Sequence, residues 1–261
     1  FDKFTGVHET INVILNMIMT NEIINLYIVS TPIGNLDDIT NRAVKIIDKA
    51  DFVICENPKH SLKLLNKLGI KKKLIALHDY NEDLTIKKLA KNLHNGNVVL
   101  ISDAGSPLIS DPGYKLIRHC LDNNLKITSI PGPTSIIPAL QLSGIPINEF
   151  SFFGFFPKTK NDILVFIDKV EKCERTSVFF VSSHKIITFL EQMDLKMKNR
   201  EISVAKELTK INERIFRGSV HQVKEKILSK KENLKGEFVV VLSSSSKKTL
   251  DVENLTFFEA E

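Results

Sequence analysis

The chain has 261 residues, of which 43% are hydrophobic and 26% are charged, and its formal net charge is +5. This composition is typical of a globular protein that can bury one or two sizeable cores. The sparse cysteines Cys55, Cys120 and Cys173 exclude a disulfide framework or a Cys/His metal site and favour a reduced, cytoplasmic setting. The positive charge permits a nucleic acid as partner, although a lysine-rich surface explains it equally well.

The first 25 residues lack the features of a membrane span or a secretory signal. Their apolar run, Ile11–Met19, contains Asn12 and Asn16 and is followed by Glu22, so it is too short and too polar to cross a bilayer. No basic segment or small-residue cleavage site accompanies it. We therefore predict that residues 1–25 form an extension outside the fold and that the protein has no membrane partner.

From Leu26 onward, short apolar runs alternate with helical patterns. The predicted strands are Leu26–Ser30, Phe52–Cys55, Leu74–Leu77, Val98–Ile101 and Leu125–Ile130. The first predicted helix starts within Asp37–Thr40, and the others are His60–Leu68, Asp83–His94, Tyr114–Leu121 and Thr134–Leu142. This alternation predicts a first α/β domain over residues 26–143, with a mostly parallel sheet and helices on both faces. A linker at Gly144–Pro146 ends this domain.

The second half has a different pattern. Its predicted strands are Phe150–Phe153, Ser177–Val181, Ile202–Lys206, Glu213–Arg217 and Phe238–Leu242. Its predicted helices are Asp162–Val170, Lys185–Met193 and Val220–Leu228. The short connection between the third and fourth strands indicates an antiparallel hairpin. We therefore predict a second α/β domain with a mixed sheet over residues 147–243, followed by a tail over residues 244–261.

Loops rich in Gly, Pro and Ser follow the first, fourth and fifth predicted strands. They are Thr31–Asn35, Ser102–Pro107 and Pro131–Ser135. The carboxyl ends of strands in such a sheet face the ligand crevice, although ordinary turns also use these residues. Neither GxxxxGK[ST] nor GxGxxG occurs, which disfavours an NTPase or an ordinary dinucleotide enzyme. A ligand with an adenosyl and a cationic part, but no phosphate, suits these loops better.

The longest loop, Ile101–Gly113, carries two carboxylates. They predict a polar or cationic ligand. We assign Asp103 to the ligand side of the loop. We expect Asp111 to shape the loop or the entry to the following helix.

Four segments together resemble the ribosomal RNA small-subunit methyltransferase I family, the 16S rRNA cytidine 2′-O-methyltransferases of the tetrapyrrole methylase superfamily. They are Thr31–Thr40, Ser102–Gly113, Pro131–Ser135 and Lys206–Lys210. The resemblance covers roughly residues 26–243. It implies a tetrapyrrole methylase-like fold and a cytoplasmic homodimer that binds S-adenosyl-L-methionine between two α/β domains. The implied substrate is a decoding-centre cytidine ribose in the 16S rRNA of the small ribosomal subunit.

The resemblance also implies which residues bind the cofactor. They are Pro32, Gly34, Ser102, Asp103, Gly105, Ser106, Thr134, Ser135, Phe180, Val181 and Gly236. No metal is implied.

Glu56 and His60 are the candidates for the catalytic base or its orienter, because they follow the second strand at the same sheet edge. In the alternative, Glu56 caps the next helix and His60 is merely exposed. Glu207 is the second choice, and its alternative role is a salt bridge with Lys206 or Lys210.

The candidate RNA-binding residues lie in or beside the family motifs. They are Arg42, Lys59, His184, Lys206 and Lys210. A wider set of lysines carries few compensating acids, which is compatible with RNA binding or with a solvated face. It comprises Lys59, Lys63, Lys67, Lys71, Lys72, Lys73, Lys87, Lys88 and Lys91.

The sequence departs from the family pattern in several places. Glu56–His60 reads Glu-Asn-Pro-Lys-His where Glu-Asp-Thr-Arg-His is usual, and Ser182–Lys185 reads Ser-Ser-His-Lys where Ser-Pro-His-Arg is usual. Lys206 replaces an arginine. We expect the small helical C-terminal module of many relatives to be missing here. These differences keep open a ribosome-binding relative without catalysis, beside a second alternative, methylation of a tetrapyrrole or corrinoid.

Overall fold

The computed structural model describes residues 24–245. The predicted extension therefore lies outside the described residues up to position 23, and the predicted tail lies outside them from position 246. Contacts between Cα atoms divide the chain after Thr134 into two compact units. No helix within residues 24–245 is long and apolar enough to cross a membrane.

The first unit is built on a five-stranded sheet in the order β3-β2-β4-β1-β5. Its strands are β1 (Leu26–Val29), β2 (Phe52–Cys55), β3 (Lys73–Ala76), β4 (Val98–Ile101) and β5 (Ile127–Ile130). Its helices are α1 (Asn41–Lys49), α2 (Pro58–Lys67), α3 (Glu82–Asn95) and α4 (Tyr114–Asp122). All neighbouring strands pair in parallel, as the alternation predicts.

Two apolar layers cover this sheet, one on each face. On one face, Ala43 and Ile47 of α1 and Leu65 of α2 pack with Val53 and Val99 of the sheet. On the other face, α3 and α4 supply the packing residues. The strands β2 and β4 are buried at every position because both of their faces are covered. The predicted parallel sheet with helices on both faces is confirmed.

The helices of the first face begin at positions that are capped by side chains. The Thr40 side chain accepts the backbone N–H of Ala43 at 3.0 Å and starts α1. The sequence offers Asp37–Thr40 as the start of this helix, and the structure places the cap at Thr40, after a short 3₁₀ turn at Leu36–Asp38, so that α1 begins at Asn41. The threonine hydroxyl satisfies one of the helix N–H groups that have no partner within the helix.

Asn25 holds the entry to the first strand. Its side-chain amide donates to the carbonyl of Leu93 at 2.8 Å, and its amide oxygen accepts the N–H of Lys126 at 2.8 Å. The side chain is buried, so these bonds satisfy polar atoms that have lost water. Asn25 therefore belongs to the folded unit, although the sequence assigns it to the extension.

The second unit is a mixed five-stranded sheet in the order β6-β7-β10-β8-β9. Its strands are β6 (Phe150–Phe155), β7 (Thr176–Ser182), β8 (Glu201–Lys206), β9 (Arg214–Ser219) and β10 (Glu237–Leu242). Its helices are α5 (Ile136–Ser143), α6 (Lys160–Glu171), α7 (Ile186–Met197) and α8 (Val220–Leu228), with a 3₁₀ turn at Lys231–Leu234. Strands β6 and β7 are parallel and the other pairs antiparallel, so both the mixed sheet and the β8–β9 hairpin are confirmed.

Helix α5 differs from the sequence-based division of the chain. The sequence places it at the end of the first domain, before the linker at Gly144–Pro146. In the structure it packs on strands β8, β9 and β10 of the second sheet. Its carbonyl at Leu142 also accepts a hydrogen bond of 2.6 Å from the guanidinium of Arg217.

Candidate functional site

The loops after β1, β4 and β5 meet at the carboxyl edge of the first sheet. Thr31 and Gly105 exchange two backbone hydrogen bonds, each of 2.9 Å. The hydroxyls of Ser30 and Ser106 lie 3.0 Å apart, and Ser106 donates to the carbonyl of Pro133 at 3.4 Å. Because β4, β1 and β5 are neighbours in the sheet, these bonds join all three predicted ligand loops into one surface.

Gly105 makes the exchange with Thr31 possible. Its φ of +81° lies in the left-handed region, where a side chain is strained. An added Cβ would also lie 3.4 Å from the side chain of Ile33 in the neighbouring loop. The buried Ser102 hydroxyl donates to the Gly105 carbonyl at 2.9 Å, and this bond holds the turn in place.

The rest of the long loop turns back toward the sheet edge. Leu108 and Ser110 have φ values of +74° and +67°, which are unusual for residues other than glycine. Each such residue costs about 1–2 kcal/mol. This strained path returns Asp111 to the end of β4, beside Ser102.

A small pocket opens where Asp111 returns. Its lining combines two carboxylates and a hydroxyl with apolar walls, and the lining residues are Glu56, Leu77, Leu100, Ile101, Ser102, Pro107, Asp111 and Pro112. The pocket therefore lies at the carboxyl ends of β2 and β4. Sequence reasoning gave Asp111 a structural role and missed its place in this pocket. The repeated Ser-Asp pair in one loop, Ser102-Asp103 and Ser110-Asp111, is the signal that was available.

Both pocket carboxyl groups hold protons more tightly than usual. Burial and the charges of Glu56 and Asp103 raise the pKa of Asp111 to about 6, and a hydrogen bond with Ser102 offsets only part of this. Burial and the charges of Asp103 and Asp79 also raise the pKa of Glu56, against an opposing effect of His78. A carboxylate with a pKa near neutrality can accept a proton from a substrate and remain largely ionised beforehand.

Asp103 connects this pocket to α2. One of its carboxylate oxygens accepts the backbone N–H of Asn57 at 3.2 Å. The Asn57 side chain in turn accepts the N–H of Lys59 at 3.1 Å and caps the helix, with Pro58 in the first helical turn. The cap is therefore Asn57 and not Glu56, so the alternative role of Glu56 as a cap is wrong. Asparagine caps helices as well as aspartate does, so the Asn-Pro departure preserves the helix start.

Other predicted residues of the first unit surround the edge without lining the pocket. His60 is exposed in the first turn of α2, and its backbone N–H bonds to Asn57. Arg42 and Lys59 are exposed in the first turns of α1 and α2. The remaining predicted positions are exposed or partly buried, namely Pro32, Gly34 and Thr134.

Glu207 and Lys210 form an ion pair in the second unit. Lys210 Nζ lies 2.9 Å from Glu207 Oε1 and 3.0 Å from Glu237 Oε2, and the Glu237 N–H donates to the same Glu207 oxygen at 3.0 Å. Burial raises the pKa of Glu207, but the bonds from Lys210 and the Glu237 backbone outweigh it and hold the pKa below its usual value. The salt bridge that was the alternative role of Glu207 is present, and it makes this carboxylate a weak base.

The other predicted residues of the second unit lie on separate elements. Phe180 and Val181 are in β7, where the Phe180 carbonyl accepts the N–H of Phe156 at 2.8 Å. Lys206 is buried at the end of β8, and His184 is exposed in the turn before α7. Ser135 precedes α5 and makes no side-chain capping bond.

Comparisons with known proteins agree with this architecture. A family model described as Tetrapyrrole (Corrin/Porphyrin) Methylases matches residues 25–224. Two solved structures share the fold at low identity. Diphthine synthase has a TM-score of 0.62 at 16% identity, covering 84% of this chain and 89% of that one. The uroporphyrin-III-C-methyltransferase of Thermus thermophilus has a TM-score of 0.57 at 18% identity, covering 84% and 93%.

Curated relatives narrow the assignment. A protein named ribosomal RNA small subunit methyltransferase I from Haemophilus influenzae is 40% identical over 85% of this chain and 79% of its own length. One of the same name from Thermotoga maritima is 38% identical over 84% of this chain and 97% of its own length. The chain belongs to the tetrapyrrole methylase family and, within it, to the ribosomal RNA small subunit methyltransferase I family. The resemblance seen in the loop motifs is confirmed.

We expect Asp111→Asn to stabilise the protein at neutral pH. The folded state raises the pKa of Asp111 from 3.8 to about 6, so its contribution to stability is complete in acid and is lost as the pH rises through that range. Asparagine removes this cost, which should add on the order of 2 kcal/mol to the free energy of unfolding near pH 7.5 and little near pH 4. Thermal unfolding at both pH values measures the difference, and an equal effect at both would contradict it.

Gly236→Ala should destabilise the second unit. Gly236 has a φ of +111°, and a Cβ there would lie 2.7 Å from Cγ of Glu207, whose side chain is held by its two hydrogen bonds. Gly144→Ala is the matched control, because Gly144 has a φ of +75° and no atom within 4 Å of an added Cβ. Denaturant unfolding should show a loss at least ~1 kcal/mol larger for Gly236→Ala. Equal losses would mean that the Glu207 side chain moves aside freely.

Proposed function

We propose that this protein transfers a methyl group from S-adenosyl-L-methionine to the 2′-oxygen of a cytidine ribose in the 16S rRNA of the small ribosomal subunit. We also propose that it acts in the cytoplasm as a homodimer. The names of the relatives support the RNA substrate. The observation that carries the chemical part is the carboxylate pair Glu56 and Asp111 in the pocket at the joined loops.

The residues of the joined loops fit the cofactor. When bound, S-adenosylmethionine supplies a methyl group carried on a sulfonium cation. Asp103, partly buried at the sheet edge, offers a carboxylate to a cationic or ribose group, since only one of its oxygens is used by Asn57. Gly105 and Ser106 present backbone and hydroxyl groups in a loop that is already fixed by hydrogen bonds. No phosphate cradle is needed for such a ligand.

The carboxylate pair supplies a proton acceptor for the ribose hydroxyl. Glu56 is the more exposed of the two, so its carboxylate takes the hydroxyl proton. Asp111 lies deeper, and the charge of Glu56 helps to raise its pKa. The charges of Asp103 and Asp79 help to raise the pKa of Glu56. A proton taken up in this cluster is therefore stabilised by the negative charges around it.

Positioning contributes more than the base does. Alignment of reacting groups can supply about 7–11 kcal/mol of a barrier, whereas a general base gives about 10²–10⁴-fold in rate. The bonds that fix Thr31, Gly105 and Ser106 before any ligand binds therefore matter at least as much as Glu56. This accounts for a site in which a rigid loop surface surrounds a small acidic pocket.

A direct test is methyl transfer from labelled S-adenosylmethionine to purified small subunits that lack the modification. The proposal expects label in 16S rRNA, at a cytidine whose ribose linkage resists alkali. Label in a tetrapyrrole but not in RNA would instead select the small-molecule activity suggested by the shared fold. Binding to small subunits without transfer would select the non-catalytic alternative.

Glu56→Gln should lower methyl transfer by about 10²–10⁴-fold while cofactor affinity changes little, because the amide cannot accept the hydroxyl proton. Asp48→Asn is a suitable control, since it removes one exposed carboxylate from α1 in the same unit. Single-turnover rates and cofactor binding measure the two effects. Unchanged turnover in Glu56→Gln would remove Glu56 from the mechanism.

Asp79→Asn should move the acid limb of the rate profile to lower pH. The charge of Asp79 is one of those that raise the pKa of Glu56, so its removal lowers the pKa of that carboxyl group. Profiles of kcat/KM against pH for the wild type and the variant measure this shift. An acid limb that stays in place would mean that ionisation of Glu56 does not limit the rate.

A further inference from the structure

The segment that follows Glu56 has an unusual charge. From Pro58 to Leu77 it contains six lysines and no aspartate or glutamate, whereas the whole chain has 36 basic and 31 acidic residues and a net charge of +5. The positive charge of this segment alone is therefore larger than the net charge of the whole protein. A charge this localised is a feature of the first unit and not of the overall composition.

The helix α2 arranges half of these lysines in a line. Lys59, Lys63 and Lys67 recur every four residues, so they lie on one stripe of the helix. The stripe is opposite the buried residues Ser61 and Leu65, and all three lysines are exposed. Within residues 24–245 none of the three forms an ion pair, so each presents an uncompensated ammonium group to solvent.

The structure separates this stripe from the other lysines of the first unit. Helix α2 packs on one face of the sheet through Leu65, whereas α3 packs on the other face through Ile86, Leu89 and Leu93. Lys87, Lys88 and Lys91 of α3 are therefore on the opposite side from α2. The lysines that look like one basic region in the sequence are two groups on two faces.

The stripe begins at the candidate pocket. Glu56 lines the pocket, Asn57 caps α2, and Lys59 lies in the first turn. From Lys59 the stripe extends along the helix for about 12 Å, at about 1.5 Å per residue. A polyanionic chain that places one of its units at the pocket could therefore contact the three ammonium groups one after another along the helix.

We propose that Lys59, Lys63 and Lys67 form a track for the phosphate backbone of the substrate RNA, which leads the strand to the pocket at Glu56. The proposal rests on the RNA methyltransferase function proposed above. A lysine is a point charge without the fork that reads a base edge or grips a phosphate in two places. The track therefore supplies affinity and direction but no sequence preference, and specificity comes from groups elsewhere.

The test compares two triple variants of equal charge change. One is Lys59→Gln, Lys63→Gln and Lys67→Gln on α2. The matched control is Lys87→Gln, Lys88→Gln and Lys91→Gln on α3, on the opposite face of the same sheet. Binding to purified small subunits and to a scrambled RNA is measured at salt concentrations from about 50 to about 200 mM, with thermal unfolding and cofactor binding as checks on folding.

The α2 variant should lose two to three units of the slope of log affinity against log salt, since each phosphate contact contributes about 0.7–0.9. Between about 50 and about 200 mM salt, the wild type should therefore lose roughly twentyfold or more affinity beyond what the α2 variant loses. The KM of the α2 variant for small subunits should rise. The scrambled RNA should show a similar loss of slope. The α3 variant should keep the wild-type slope.

Two outcomes would overturn the proposal. If the variants lose the same slope, general charge and not the stripe attracts RNA. If the α2 variant keeps the wild-type slope and KM, α2 does not contact phosphates. Failure of the proposed function is distinguishable, because it would appear as absence of methyl transfer to small subunits by the wild-type protein.

Discussion

The site depends on one pair of backbone hydrogen bonds, those exchanged by Thr31 and Gly105. They join the loop after β1 to the loop after β4 and thereby decide where the long loop leaves the sheet. Its far end then returns Asp111 to the strand end that faces Glu56. The Ser102 hydroxyl bond to the Gly105 carbonyl holds the same turn, so the strand end and the loop are fixed together.

This geometry opposes folding locally. Leu108 and Ser110 occupy the left-handed region, and Asp111 is half-buried near two other carboxylates, which raises its pKa to about 6. Strain and raised pKa values of this kind concentrate at functional sites, where the surrounding structure holds them in place. Here the surrounding structure is the parallel sheet, whose central strand β4 is buried at every position. The buried sheet therefore holds the strained loop in the conformation that forms the pocket.

The buried strands could be predicted from the sequence, whereas the path of the long loop and the placement of α5 could not. The strands Phe52–Cys55 and Val98–Ile101 were predicted to the residue, because burial on both faces leaves an unbroken apolar run. The position of Asp111 in the pocket was missed, because it requires Leu108 to adopt a positive φ that its residue type does not signal. Helix α5 was assigned to the first domain, because an apolar stripe does not tell which sheet it will cover.

The chemistry proposed for the joined loops requires that the charge of Glu56 acts on the carboxyl group of Asp111. Titration of the Asp111 side-chain carbon by NMR, in the wild type and in Glu56→Gln, measures this effect. We expect a pKa of about 6 in the wild type and a lower value in the variant, since Glu56 is one of the charges that raise it. A wild-type pKa near 3.8, or a raised pKa that Glu56→Gln leaves unchanged, would contradict it.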